Sequence, residues 1–344
     1  MAVMLLSLHL ELPPREQLSL FEKLKRLDPL GLLFLIPSMV NLILALQWGG
    51  TTYPWSAPRI IGLLVAFAVT FVIFIVVEVL TPETAMAPTR VVLNRTVGGS
   101  MLFMFLLSGG MMAVVYYLTI WFQAAQGQSA MEAGIRTIPL VLSLVVFGIA
   151  AAVLTQKVGY YVPSMLIAPI LCAAGAGMLS TLTSHASRKQ WIGYQVIYGL
   201  GIGSGFQTSN LGPQTVLPHA DVPLGMTMMF FMQQLGGSVF LAVAQNIFSR
   251  QLVSGLSGIA GLDTAAIIKT GATALRSVVP PNELGTVVNA YSHALTRVFV
   301  LSAALSAAMV VGALLVEWKS IKTEKSDASK DVKTDSIDVS KSEG

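Results

Sequence analysis

The chain has 344 residues, 54% hydrophobic and only 11% charged, with a formal net charge of +4 and a mean hydropathy of +0.72. With 17 Asp and Glu against 21 Lys and Arg, a water-soluble globular protein of this size is excluded. The basic excess does not point to nucleic acid either, because Lys and Arg sit mostly between apolar runs, where they orient membrane segments.

Met1–Leu10 is apolar but lacks a basic leading region and a small-residue cleavage site, which argues against a signal peptide. It is too short to span and reads as the last turns of a membrane helix. Glu11–Asp28 follows as a charged connector, so residues 1–29 form an N-terminal cytoplasmic connector. Eight apolar runs of about 17–25 residues then predict transmembrane helices. They are Leu30–Trp48, Arg59–Leu80, Val97–Phe122, Ile135–Gln156, Tyr161–Leu182, Trp191–Pro213, Leu224–Phe248 and Thr296–Trp318. Stretches such as Ile60–Val77 and Val298–Val316 hold no charge to turn toward water on any helical face. Gly49-Gly50, Pro82, Pro88, Gly159, Pro218 and Pro223 punctuate the connections. Trp48, Trp55, Trp121, Tyr160, Trp191 and Trp318 fall where the membrane interfaces should be. The predicted fold class is an all-α polytopic membrane protein with eight transmembrane helices.

Eight spans put both termini on one side. With that side cytoplasmic, the inner segments take Arg15, Lys23, Lys25, Arg26, Arg90, Arg95, Lys157 and the lysines of the tail, the larger share of the positive charge. The sequon Asn94-Arg95-Thr96 then lies inside and should stay unglycosylated. Two regions are not expected to span. In 250–295, Ile268, Ala272, Leu275 and Val279 recur at helical spacing, predicting an amphipathic helix on the outer surface. Residues 319–344 are rich in Lys, Ser and Asp and read as a disordered cytoplasmic tail.

Gly199, Gly201, Gly203 and Gly205 are not a phosphate loop, since no strand precedes them and no lysine follows; in an apolar helix they make stripes for close helix packing. Ala173, Gly175 and Gly177 repeat the device. Polar residues inside the spans are uneven. Gln207, Asn210 and Gln214 flank the sixth span, Gln233 and Gln234 mark the seventh, and Tyr116, Tyr117 and Gln123 the third. Taken singly, each amide fits interhelical hydrogen bonding equally well; as a cluster they predict a polar-lined space among those three spans, with the fifth and eighth facing lipid. Tyr116, Gln207, Asn210, Gln233 and Gln234 are the candidate substrate-cavity residues. No carboxylate lies at mid-membrane: Glu78 sits at a helix end, Glu132 and Asp221 in loops, and Glu317 at the end of the last span. His9, His185, His219 and His293 share no ligand spacing, so no metal site is expected. Lone Cys172 reads as a small buried apolar residue. No arrangement of nucleophile, base and acid supports an enzyme.

The segments Leu27-Asp28-Pro29-Leu30-Gly31, Leu44–Gly50 and Tyr53-Pro54-Trp55 resemble the seventh-span hairpin of fungal fourteen-spanner major facilitator transporters, in the drug:proton antiporter branch. Tyr116–Gln123 with Gly127, Ser129-Ala130 and Gly134 is similar to the end of that family's ninth span; Gln207–Gln214 and Phe231–Gly237 resemble its twelfth and thirteenth. Gln156-Lys157-Val158-Gly159 looks like its weakened loop motif. The likeness runs from about residue 10 to 318. It implies that 30–80 is a central linker pair and 97–318 a C-terminal six-helix bundle, with the third, fourth, sixth and seventh spans lining the cavity. The family's six earlier spans, with its antiporter signature and proton-coupling acids, find no counterpart in these residues.

The resemblance implies efflux of an amphipathic small molecule, a toxin or secondary metabolite, by alternating access. A proton gradient rather than a cofactor would supply the energy, and the cell membrane is the expected location. The expected partners are that substrate, the lipid bilayer, and a missing N-terminal half or a full-length carrier, with no nucleic acid. A reading from another class is a non-transporting membrane scaffold or regulator associated with a full-length carrier. A homodimer forming a pseudo-complete carrier is a third, disfavoured by the linker pair and the absent acids.

Overall fold

In the computed structural model, which describes residues 28–81, 85–257, 279–280 and 283–320, Asp28 sets the start of the first helix. Its carboxylate accepts from the Gly31 amide at 2.9 Å, and Pro29 brings a preset φ to the first helical position. Helix α1 (Pro29–Trp48) turns back as α2 (Pro58–Leu80). In the turn between them Trp48 meets Tyr53 edge-on, and Arg59 donates to the Tyr53 hydroxyl at 2.7 Å. Then follow α3 (Thr89–Val92), α4 (Arg95–Ala124), α5 (Ala130–Arg136), α6 (Ile138–Val158), α7 (Val162–Leu179), α8 (Arg188–Ser209), α9 (Leu211–Val216), α10 (Val222–Leu256) and α11 (Leu284–Leu315). Met1–Leu10, the connector up to Leu27, the expected amphipathic residues Ile268–Leu275 and the tail from Ile321 lie outside the described residues.

Seven of the eight expected spans are helices long and apolar enough to cross a membrane: α1, α2, α4, the α5–α6 stretch Ala130–Val158, α7, α10 and α11. The protein is therefore a multi-pass, all-α membrane protein. The remaining expected span, the sixth, contains α8, whose glycines and polar residues dilute its apolar character. That is tolerable because α8 is enclosed by protein: Tyr198, Gly199, Gly201, Ile202 and Gly203 are all buried. The run predicted as Trp191–Pro213 also divides at Asn210, because Pro213 has no amide to offer the Ser209 carbonyl one turn earlier.

Two helices outrun their predicted lengths. Helix α10 continues past Phe248 to Leu256, and α11 begins at Leu284 rather than Thr296. Most of what was expected as surface between Arg250 and Leu295, among the described residues, is thus helix. The reason is one-sided burial: Leu252, Leu256, Val287, Tyr291 and Leu295 are at most 2% exposed, while Arg250, Asn289 and His293 sit on other faces. At 1.5 Å per residue, the 35 residues of α10 extend about 52 Å, well beyond a hydrocarbon core of about 30 Å.

Helix α4 is the axis of the bundle, flanked by α10 and α11, while α8 packs on α6 and α7, and α7 on α11. The seams are built from glycines and from serines that donate across them. Gly199 and Gly203 face α6, where an added methyl would meet the Leu140 and Leu144 carbonyls; Gly201 faces Ala168 and Cys172 of α7. Gly175 abuts the Tyr198 backbone, whereas Gly177, expected to share that role, has nothing within 4 Å. Ser143 donates to the Val196 carbonyl at 2.7 Å, and Ser108 to that of Gln233 at 2.6 Å. Ser302 donates to the Gly110 carbonyl at 3.0 Å and lies 2.8 Å from the Tyr198 hydroxyl, tying α4, α8 and α11 at one buried point. Such bonds satisfy hydroxyls away from water and bring backbones close, the usual means of helix association in lipid.

The outward faces of α2 and α6 are unbrokenly apolar, with Val65, Val69 and Val72 on one and Val141, Val145, Ile149 and Val153 on the other, each roughly half exposed. Water would not tolerate such surfaces; hydrocarbon does. The α1–α2 hairpin joins the bundle where the buried Asn246 amide of α10 donates to the Leu46 carbonyl at 3.1 Å.

Candidate functional site

Of the five candidate cavity residues, four fall on the helices α4, α8 and α10 and Asn210 at the α8–α9 junction, and they form two groups. Asn210 and Gln214 cluster at the end of the bundle where α4 begins. Asn210 Nδ2 donates to the Phe206 carbonyl at 2.9 Å, and Gln214 Nε2 to the Asn210 carbonyl at 2.9 Å. The Asn210 Oδ1 is buried with no partner. Gln207, about one turn earlier on α8, is exposed and its side chain makes no hydrogen bond among the described residues. Gly212 stacks over Ser100 and Gly225 over Leu217, which fixes α9 between α4 and α10 and holds this group in place.

The second group lies further along α4 and α10. Gln233 and Gln234 come about three turns into α10, and Ser108 of α4 grips the Gln233 carbonyl. Neither side-chain amide has a hydrogen-bond partner among the described residues; Gln234 is exposed and Gln233 partly so. Tyr116 is 51% exposed on α4, with its ring edge-on to Tyr117 at 5.2 Å. The Tyr117 hydroxyl in turn donates to Gln245 Oε1 of α10 at 2.7 Å. Gln245 had not been singled out from the sequence, yet its spacing from Gln234 signals it: eleven residues are close to three full turns, so both present the same face of α10.

Unpartnered primary amides are expensive in hydrocarbon, costing about 2–7 kcal/mol each by transfer to an apolar medium. Gln207, Gln233 and Gln234 can only be accommodated beside water, a polar ligand or further protein. On α10 itself Met226, Phe230, Phe231 and Met232 are at least partly exposed and offer soft, repackable apolar contact, whereas Met228 is buried in the core. The helices carrying these residues, α4, α8 and α10, contain no Asp or Glu, nor do α6, α7 and α11. The arrangement can hydrogen-bond and enclose an amphipathic molecule; it holds no general acid or nucleophile for chemistry on one.

At the opposite end of the bundle, where α4 ends, is a cavity of about 500 Å³ between α5, α6 and α8. Arg136 and Arg188 line it together with Trp191, Ile135, Ile138 and Ile192. On the flank of the bundle a shallower apolar crevice of about 190 Å³ separates α6 from α7, with Leu154, Ile167 and Leu200 on its walls.

Comparison with known proteins supplies the lineage. Residues 14–260 match the family described as the fungal trichothecene efflux pump (TRI12). The MFS-type efflux pump MFS1 of Arthroderma benhamiae is 44% identical over 304 residues, covering 88% of this chain and 57% of that protein. The MFS-type transporter VdtG of Byssochlamys spectabilis is 41% identical over 327 residues, 94% of this chain and 59% of the relative. Efflux pump aflT of Aspergillus parasiticus is 40% identical over 307 residues, 89% and 60% respectively. The chain thus spans not quite two thirds of the length of the relatives it matches, and these relatives are efflux pumps and transporters, not enzymes. On this footing the chain belongs to the TRI12 family of fungal MFS-type efflux pumps.

Proposed function

We propose that this chain forms one wall of an efflux transporter that carries an amphipathic small molecule, such as a toxin or secondary metabolite, out of the cell. The observation that carries the reading is the set of side-chain amides at Gln207, Gln233 and Gln234 that have no partner among the described residues of a membrane-spanning bundle. A hydrated cleft between this bundle and a second one would hold them, with Tyr116 and Asn210 adding polar contacts and the methionines adaptable apolar area. Alternating access would rock the two bundles about that cleft, driven by proton antiport without a cofactor. Since the six long helices from α4 onward lack carboxylates, the coupling acid would belong to another part of the transporter. In this reading both ends of the chain face the cytoplasm, the Arg188 end of the bundle faces outside, and the cell membrane is the site of action.

The test joins the chain to the complementary part of the Arthroderma relative and expresses it in a fungal strain depleted of its own pumps. Efflux of a fluorescent amphipath, abolished by a protonophore, is expected. Gln234→Ala should slow it by about fivefold, the worth of one hydrogen bond of about 1 kcal/mol. Efflux unaffected by Gln207→Ala, Gln233→Ala and Gln234→Ala combined would refute the amide cleft.

A further inference from the structure

We propose that the cavity between α5, α6 and α8 is a second binding site, for an organic acid with an apolar body and a single carboxylate. The argument begins with Arg136. Its Nη1 donates to Gln126 Oε1 at 2.6 Å and its Nε to Glu132 Oε1 at 3.3 Å. Its guanidinium carbon lies 6.0 Å from the Phe122 ring and 5.9 Å from the Trp191 ring. Arg136 is therefore held in place, and Glu132, the one acid lining the cavity, is committed to it. Arg188 lines the same cavity from the start of α8, is exposed, and has no hydrogen-bond or ion-pair partner among the described residues. The cavity thus keeps one positive charge without a counter-charge.

The rest of the wall says what accompanies the anion. Ile135, Ile138, Pro139 and Ile192 present apolar surface, and the volume of about 500 Å³ lies in the range that encloses a small organic molecule. A cation would find only the committed Glu132, and a bare inorganic anion would leave the isoleucines wet. An acid with an apolar body satisfies both halves, its carboxylate on Arg188 and its body along the isoleucines. Bidentate pairing of guanidinium with carboxylate gives the preference its strength. The site deepens the efflux reading by naming acidic amphipaths as a substrate class and the exit as the place where they pause. It rests on that reading only for the direction in which the cavity opens, and binding can be measured without transport.

The purified chain in phosphatidylcholine nanodiscs is dialysed against 1-naphthoate and, separately, against uncharged 1-naphthamide, with binding to empty nanodiscs subtracted. Naphthoate should be held at least about tenfold more tightly, in keeping with a charge-assisted bond. Arg188→Gln, an exposed change, should bring the two ligands level, and Ile138→Trp, which narrows the cavity, should weaken both. Equal binding of acid and amide by the unmodified chain would overturn the proposal. So would a preference for the acid that survives Arg188→Gln, or binding indifferent to Ile138→Trp.

Discussion

Gly199 sits where α8 touches α6, and replacing it with alanine probes the seam directly. The new Cβ would stand 2.6 Å from the Leu140 carbonyl oxygen and 2.9 Å from the Ser143 Cβ, where ordinary contact begins at 3.4 Å. Neither neighbour is a flexible tip, so α6 must retreat by most of an ångström. Overpacking of this kind costs about 1–3 kcal/mol. The same retreat stretches the bond from Ser143 to the Val196 carbonyl, now 2.7 Å, and forfeits up to about 1 kcal/mol more. Alanine's helix propensity returns up to about 1 kcal/mol. Gly193, six residues earlier in the same helix, has nothing within 4 Å of a prospective Cβ, so Gly193→Ala keeps the propensity gain alone. The propensity gain cancels between the two variants, which should therefore differ by about 1–4 kcal/mol. At about 2 °C per kcal/mol for a chain of this size, that separates their melting temperatures by roughly 2–8 °C, read by tryptophan fluorescence in detergent. Melting temperatures within about 1 °C of each other would refute the seam.

Two further substitutions test the polar ties. Ser302→Ala removes the partner of the wholly buried Tyr198 hydroxyl and should cost about 1–3 kcal/mol; adding Tyr198→Phe should recover part of that loss in the same melting assay, because the orphaned group disappears. Asn246→Ala cuts the bond to the Leu46 carbonyl, and limited proteolysis in the turn 49–57 should quicken by about fivefold while cleavage near Gln128 stays unchanged.

Some of this architecture is legible in the residues alone and some is not. Helix α4 was readable almost to its ends because its hydropathy falls at Asn94 and again at Gln126-Gly127, where capping and turn chemistry coincide with loss of apolar character. The ends of α10 and α11 were not, because Asn246, Arg250, His293 and Arg297 depress the average over any window while Leu252, Tyr291 and Leu295 keep one face buried. The glycine stripes of α8 announced close packing, but not that Gly199 and Gly203 serve α6 while Gly201 serves α7, since that depends on which helices the fold brings alongside. The amides of the candidate site were visible as polar residues in apolar runs. Their division into an Asn210–Gln214 group and a Tyr116–Tyr117–Gln245 group was not, because it depends on how far α4 and α10 are staggered. Nor could the sequence show that Arg188 and Arg136 line one cavity, for they lie at opposite ends of an excursion of more than fifty residues that contains both α6 and α7.

The hydrated cleft is tested most directly by thiol accessibility in proteoliposomes, with buried Cys172 replaced by alanine to leave a silent background. Gln207→Cys, Gln234→Cys and Tyr116→Cys are compared with Val145→Cys and Ile149→Cys on the apolar face of α6, using a membrane-impermeant methanethiosulfonate that needs an ionised thiol. The account predicts ready modification at the first three positions and none at the last two. Modification of Gln207→Cys and Gln234→Cys as slow as that of Val145→Cys would contradict it.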